Sequence, residues 1–182
     1  MEWDLLLFEF TRLGGIAENV CQKQGDLGRG IFPINPNLLS RIYIPSHLMI
    51  KKDDLYLDGN KIRIKKDTEY NQEIRDFFHS YQDHFSWGGG GREITEDFEK
   101  GLSLFSFDLK KLIKKSILVD IEERHKGFWQ EIIFRQFLLA RSVEFNNKLM
   151  ICPLLELVNH EVLSLPFIFR SDGISTPNYP PI

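Results

Sequence analysis

Residues able to do chemistry are sparse. The chain carries two cysteines, Cys21 and Cys152, and five histidines. Cys152 and His160 are the residue types of a thiol nucleophile and its base, and an α+β hydrolase built on them is one reading, although no adjacent motif supports the pair. His79 and His84 fall on different faces of a helix, and no Cys or His pair stands at zinc spacing. Neither Gly25–Gly30 nor Gly88–Gly91 runs into Lys-Ser or Lys-Thr, so a Walker-type phosphate loop is excluded. The pattern Gly25-x-x-Gly28-x-Gly30 has the wrong spacing for a dinucleotide fingerprint, and no predicted helix follows it. A Gly-x-Ser-x-Gly nucleophile elbow is absent.

Two constellations stand apart from these. In Gly25-Asp26-Leu27-Gly28-Arg29-Gly30-Ile31-Phe32, glycines at alternate positions strip side chains from one face and let a ligand approach the backbone. The other is Pro153-Leu154-Leu155-Glu156-Leu157-Val158-Asn159-His160, an apolar strand-turn ending in an amide and an imidazole. Just upstream, Ala140-Arg141-Ser142 places one guanidinium at a helix terminus. Taken singly, each has a structural explanation: a tight turn, a satisfied core histidine, a capping arginine. Gly88–Gly91 reads as a flexible joint between two helices. Lys110, Lys111, Lys114 and Lys115 read as the solvated face of an amphipathic helix.

Elements must hold these residues in place. Hydrophobic residues make up 42% and charged residues 27% of the 182, which fits a globular core and excludes disordered or collagen-like classes. Lys plus Arg (23) against Asp plus Glu (26) leaves a net charge of -3 and no global basic field for nucleic acid. Two cysteines are too few for a disulfide framework, which points to a reducing, cytoplasmic setting. No apolar run approaches the ~18 residues of a membrane span. The acidic start Met1-Glu2-Trp3-Asp4 lacks the layout of a secretion signal.

Residues 1–64 read as a β-rich portion, with a turn at Gly14-Gly15, a strand over Arg41–Ile44 and a hairpin over Leu55–Ile64 around Asp58-Gly59-Asn60. Residues 65–145 read as a helical insert. Thr68 caps a first helix carrying Tyr70, Ile74, Phe77, Phe78, Tyr81 and Phe85 on one face. A second opens at Thr95 and continues through Leu109, Leu112, Ile113, Ile117 and Ile121. The third covers roughly 127–143 with Phe128, Ile132, Ile133, Phe137 and Ala140 inward. Residues 146–182 return to β-structure with a strand over Leu149–Cys152. The predicted class is α+β, in one domain.

The order of these features resembles that of SET-domain protein lysine methyltransferases: Gly-x-Gly early, a helical insert, an Arg-bearing helix end, then Pro-Leu-x-x-x-x-Asn-His. The likeness is greatest to the branch of the plant Rubisco large-subunit methyltransferases. Within that branch, Gly14–Asn19, Gly28–Pro33, Phe85–Gly91 and Leu155–His160 are most similar to bacterial members. The resemblance implies a SET-type β-fold (a β-clip) interrupted by the helical insert. It also implies methyl transfer from S-adenosylmethionine to a protein lysine; the charge balance and the lack of an apolar span point to no nucleic-acid or membrane partner.

Carried over, Leu27, Gly28, Arg29 and Gly30 line the methionine end of the cofactor, and Arg141 matches the family's Arg near it, with Ala140 where the family has Ser. Asn159 holds the cofactor's amino group and His160 the adenine. Glu156 stands where the family carries Asp. The family's catalytic tyrosine lies beyond Asn-His in a segment with an acidic pair. Tyr179 is in range of that role, but Pro180 follows it and no acidic pair precedes it, so the C-terminal SET portion is expected to be incomplete. The alternative is a SET-like interaction module without catalysis.

Overall fold

The computed structural model describes residues 1–25, 28–109, 129–158 and 165–177. Its first element is a helix, α1 (Trp3–Arg12), with Asp4 in its first turn and Arg12 in its last, where each charge suits the helix dipole. The apolar run before Gly14-Gly15, to which the sequence pattern assigns no element, is thus helical. Leu6 and Phe10 repeat at helical spacing and are fully buried, while Leu5 and Phe8 face solvent. The unbroken apolar run therefore hides the helical period.

After the turn at Gly14 (φ +94°) comes β1 (Ile16–Glu18). Asn19, at φ +52°, redirects the chain into β2 (Val20–Gly25), which forms a two-stranded antiparallel ribbon with β3 (Gly28–Pro33). The Asn19 side chain accepts from the Asn35 N–H at 2.8 Å and donates to the carbonyls of Asn35 and Leu38, also at 2.8 Å. It thereby fixes the loop after β3. Gly28-Arg29-Gly30 thus lies in a strand, paired with Gly25, Gln24 and Lys23.

β4 (Arg41–Pro45) pairs with β1, and β5 (Ile50–Lys51) follows. The predicted hairpin forms as β6 (Leu55–Asp58) and β7 (Lys61–Ile64), in the register Leu55↔Ile64 and Leu57↔Ile62, turning through Gly59 at φ +58°.

The next helix, α2 (Gln72–His84), buries Ile74, Phe77, Phe78 and Tyr81 as the periodicity predicts. Its cap is not Thr68 but Asn71, whose Oδ1 accepts from the Ile74 N–H at 2.9 Å. The Thr68 hydroxyl instead donates to the Lys65 carbonyl. Arg75 gathers the loop around it, donating to the carbonyls of Tyr70, Ile64, Lys65 and Thr68. Residues Trp87–Gly91 form a tight turn leading into α3 (Arg92–Ser103). α3 begins before Thr95, whose hydroxyl bonds back to the Gly91 carbonyl within the helix. α3 ends at Ser103, and the break at 104–106 interrupts the single helix expected to run on through Leu109; the part beyond Leu109, with its lysine face, lies outside the described residues.

α4 (Trp129–Arg141) buries Ile133, Phe134, Phe137 and Leu138. Its inward face is therefore rotated from the expected one, and Ala140 is exposed. Ser142 and Val143 leave the helix for β8 (Ser142–Phe145), which pairs with β9 (Lys148–Ile151); β9 pairs with β5. β10 (Ile168–Arg170) and β11 (Gly173–Ser175) complete a four-stranded antiparallel sheet in the order β1-β4-β11-β10.

The molecule is therefore α+β, with small antiparallel sheets and helices sharing one core. Aromatic rings link the helices: Phe10 stacks with Phe77 at 5.9 Å, Trp3 meets Phe85 edge-on at 5.4 Å, and Trp87 meets Phe137 at 5.0 Å. Among the described residues no helix is long and apolar enough to cross a membrane.

His79 joins α2 to the hairpin, its Nε2 accepting from the Ile64 N–H at 3.1 Å. Burial, and then the Arg63 charge, lower the His79 pKa, with Arg75 adding to the effect and Asp83 and Asp76 opposing it. The folded state therefore takes up this proton less readily than the unfolded chain, where histidine titrates near ~6.5. Stability rises with pH across that window and falls as the solution is acidified through it. Urea midpoints should drop from pH 7.5 to 5.5, and His79→Gln, which keeps an acceptor but cannot titrate, should show a shallower drop. Parallel pH profiles for the two proteins would refute this.

Candidate functional site

β3 runs beside the short turn Leu155–Leu157. Between them, the end of α4 and the turn Trp87–Gly91 lies a cleft of about 450 Å³, within the ~300–1,000 Å³ of small-molecule sites. Arg29 and Arg141 both line it, from elements far apart in sequence. Phe85, Ile94 and Leu157 give it apolar surface, and Glu93 brings a carboxylate. Leu157 stands two residues before Asn159. Leu27, Asn159, His160 and Tyr179 lie outside the described residues, whereas Gly28 and Gly30 flank Arg29 on β3.

The Arg29 side chain is exposed, with no hydrogen-bond or ion-pair partner among the described residues. Its guanidinium lies over the glycine turn, Nη1 being 3.3 Å from the place a Cβ on residue 89 would take. Arg141 is held more firmly. Its Nη1 donates to the Glu156 carbonyl at 2.8 Å, and its guanidinium carbon sits 5.4 Å from the centre of the Phe137 ring. Two cations thus face one cleft, an arrangement suited to a carboxylate or another compact anion.

The four glycines are a packed turn rather than the flexible joint expected. A Cβ on residue 88 would collide with the Asp83 carbonyl, and one on residue 91 would come within 2.8 Å of both Phe137 and the Ser86 carbonyl. Gly90 adopts φ +112°, a conformation side chains rarely tolerate. The absence of side chains lets the α2–α3 connection fold tightly against both helices.

Behind the cleft lies a buried polar cluster. Gln82 is fully buried, and its Nε2 donates to Glu156 Oε1 at 3.1 Å. Tyr81 Oη and Ser86 Oγ face the same carboxyl but fall short of hydrogen-bond geometry. Among the described residues both stay without a hydrogen-bond partner, as do Gln82 Oε1 and Glu156 Oε2. Burial raises the Glu156 pKa; the Arg141 charge and the approach of Ser86, Tyr81 and Gln82 partly offset this. Burial also holds the Tyr81 hydroxyl well above its ordinary pKa, with the Glu156 charge adding to it. The turn that carries Glu156 begins at Leu154, a buried residue at φ +68°, which for a non-glycine side chain is strained.

Cys152 sits beside this cluster, fully buried, its thiol pushed up to about 12 by burial and then by the Glu156 charge. So enclosed, the thiol offers no surface to a substrate, which tells against a hydrolase built on it.

Among the cleft residues, sequence reasoning singled out Arg29, Arg141 and the glycine turn. It missed the Gln82–Glu156 pair, whose signal was a polar residue one helical turn after Phe78 on an otherwise apolar face. Compared with protein-family models and with curated proteins, the chain matches none.

Gly88→Ala should lower stability by about 3 kcal/mol, because the new methyl has only backbone to push against. Gly101→Ala, in open space on α3, should raise it by up to about 1 kcal/mol. Urea denaturation measures both, and a neutral Gly88→Ala would contradict the packed turn. In a thiol titration of the native protein, Cys21, which is partly exposed, should react, while Cys152 should react only after denaturation.

Proposed function

We propose that the chain is a SET-type protein lysine methyltransferase that binds S-adenosylmethionine in the cleft between β3, the Leu155–Leu157 turn and the end of α4. The observation that carries this reading is the meeting of Arg29 and Arg141, from the two sequence regions the family resemblance singles out, beside Leu157 in one cleft. The residues suit the ligand chemically. Arg29 and Arg141 would hold its carboxylate, its one anionic group, and Glu93 faces the same space with the charge its ammonium requires. Phe85, Ile94 and Leu157 supply surface for its apolar parts.

When bound, S-adenosylmethionine supplies an electrophilic methyl group on sulfur. The chain's task is then to orient the ligand, exclude water and keep an incoming amine neutral, for which positioning and a low-dielectric channel suffice. None of the tyrosines among the described residues, Tyr43, Tyr56, Tyr70 and Tyr81, lines the cleft. That favours, as the second reading, a module that binds the ligand without transferring a methyl group.

Titration calorimetry with S-adenosylmethionine should give saturable binding with a Kd below about 1 mM, and Arg29→Ala or Arg141→Ala should weaken it roughly tenfold. Silence at millimolar ligand would sink the proposal. Binding without transfer of labelled methyl to any protein in an extract would select the second reading.

A further inference from the structure

We infer that Gln82 is a positioning residue for the cleft: its buried amide holds the Glu156 side chain, and Glu156 in turn holds the Arg141 guanidinium at the cleft wall. The inference rests on the proposed function only for the ligand through which it is read.

A fully buried glutamine on the inward face of a helix is retained at a desolvation cost that only a hydrogen bond offsets. Here the bond runs from Gln82 Nε2 to Glu156 Oε1 at 3.1 Å. The same residue offers its carbonyl to Arg141 Nη1 at 2.8 Å. Glu156 is therefore the common partner of a helix that does not reach the cleft with this side chain and a cation that does. The segment between them is short and strained at its start, since Leu154 keeps φ +68°. Such a backbone persists only where its surroundings impose it, and the Gln82 bond is one such constraint. Arg141 is the last residue of α4, with a long side chain whose other restraint among the described residues is the Phe137 ring. If the carbonyl of residue 156 shifts, that side chain regains its rotamers, and a ligand carboxylate must order it again.

The test uses two probes on the full chain: S-adenosylmethionine, and 5′-methylthioadenosine, which lacks the amino-acid end that Arg141 would hold. Gln82→Met should weaken S-adenosylmethionine roughly tenfold while leaving 5′-methylthioadenosine within about twofold. Glu156→Gln keeps an acceptor for the Gln82 amide and should retain both affinities within about twofold. If Gln82→Met does not fold, the double variant Gln82→Met/Glu156→Leu removes both polar partners together and should show the same selective loss. Equal losses on the two ligands, or none, would overturn the inference. Should the wild type bind neither ligand, the proposed function falls, and ¹⁵N NMR decides the positioning role separately. The Arg141 guanidinium should give restricted, slowly exchanging signals in the wild type and in Glu156→Gln, but averaged ones in Gln82→Met. Unchanged signals in Gln82→Met would refute it.

Discussion

The carbonyl of Asp83 occupies the space in which a side chain on residue 88 would begin, and the path of the chain around the cleft follows from that contact. α2 can turn into α3 within seven residues only because nothing projects from residue 88 into the last turn of α2. The same Asp83 anchors the hairpin: its carboxylate accepts from both Arg63 nitrogens, at 3.0 and 2.8 Å. Trp87 adds a second tie, its indole N–H donating to the Asn60 carbonyl at the hairpin tip. One face of α2's end is thus locked to the hairpin, and the turn that follows it packs on Phe137 of α4. The cleft is the space left over on the other side of that turn, opposite β3.

From this geometry comes a division of labour between the two arginines. Arg141 leaves a rigid helix, lies on an aromatic ring and donates to a carbonyl, so most of its ordering cost is met before any ligand arrives. Arg29 projects from a two-stranded ribbon, its side chain exposed and its guanidinium unpaired among the described residues. An exposed arginine contributes little until a ligand excludes water from it. A ligand held by both would therefore meet one preorganised cation and one that closes over it.

Much of this was legible in the sequence where a regular period met a regular element. The 55–64 hairpin and the buried face of α2 follow from alternation and from steps of three and four residues. α1 was not legible, because Leu5 and Phe8 are apolar yet exposed, so the run shows no polar face. The inward face of α4 was misjudged for a related reason: Ile132, Ile133, Phe134, Leu138 and Leu139 offer more apolar residues than one face can bury, and only the packing partner selects among them. The glycine turn was misread because its constraint comes from the carbonyls of residues 83, 84 and 86, and a carbonyl position is a property of the folded backbone. Thr68 and Asn71 are both good caps, and the choice between them fell to Arg75, which draws the Thr68 hydroxyl into its own network.

Glu156 acts on its surroundings through both its side chain and its backbone carbonyl. Its carboxyl is buried, its pKa is raised by that burial, and it accepts a bond from a neutral amide. The residue's contribution to the cleft passes through its backbone carbonyl, which fixes Arg141, while its side chain fixes the carbonyl. Aspartate, one methylene shorter, would present its carboxyl nearer its own backbone and farther from α2. The longer acid and the buried glutamine are therefore best understood together, as a reach and its anchor: each would carry an unmet desolvation cost without the other, and together they set the position of the better-ordered cation in the cleft.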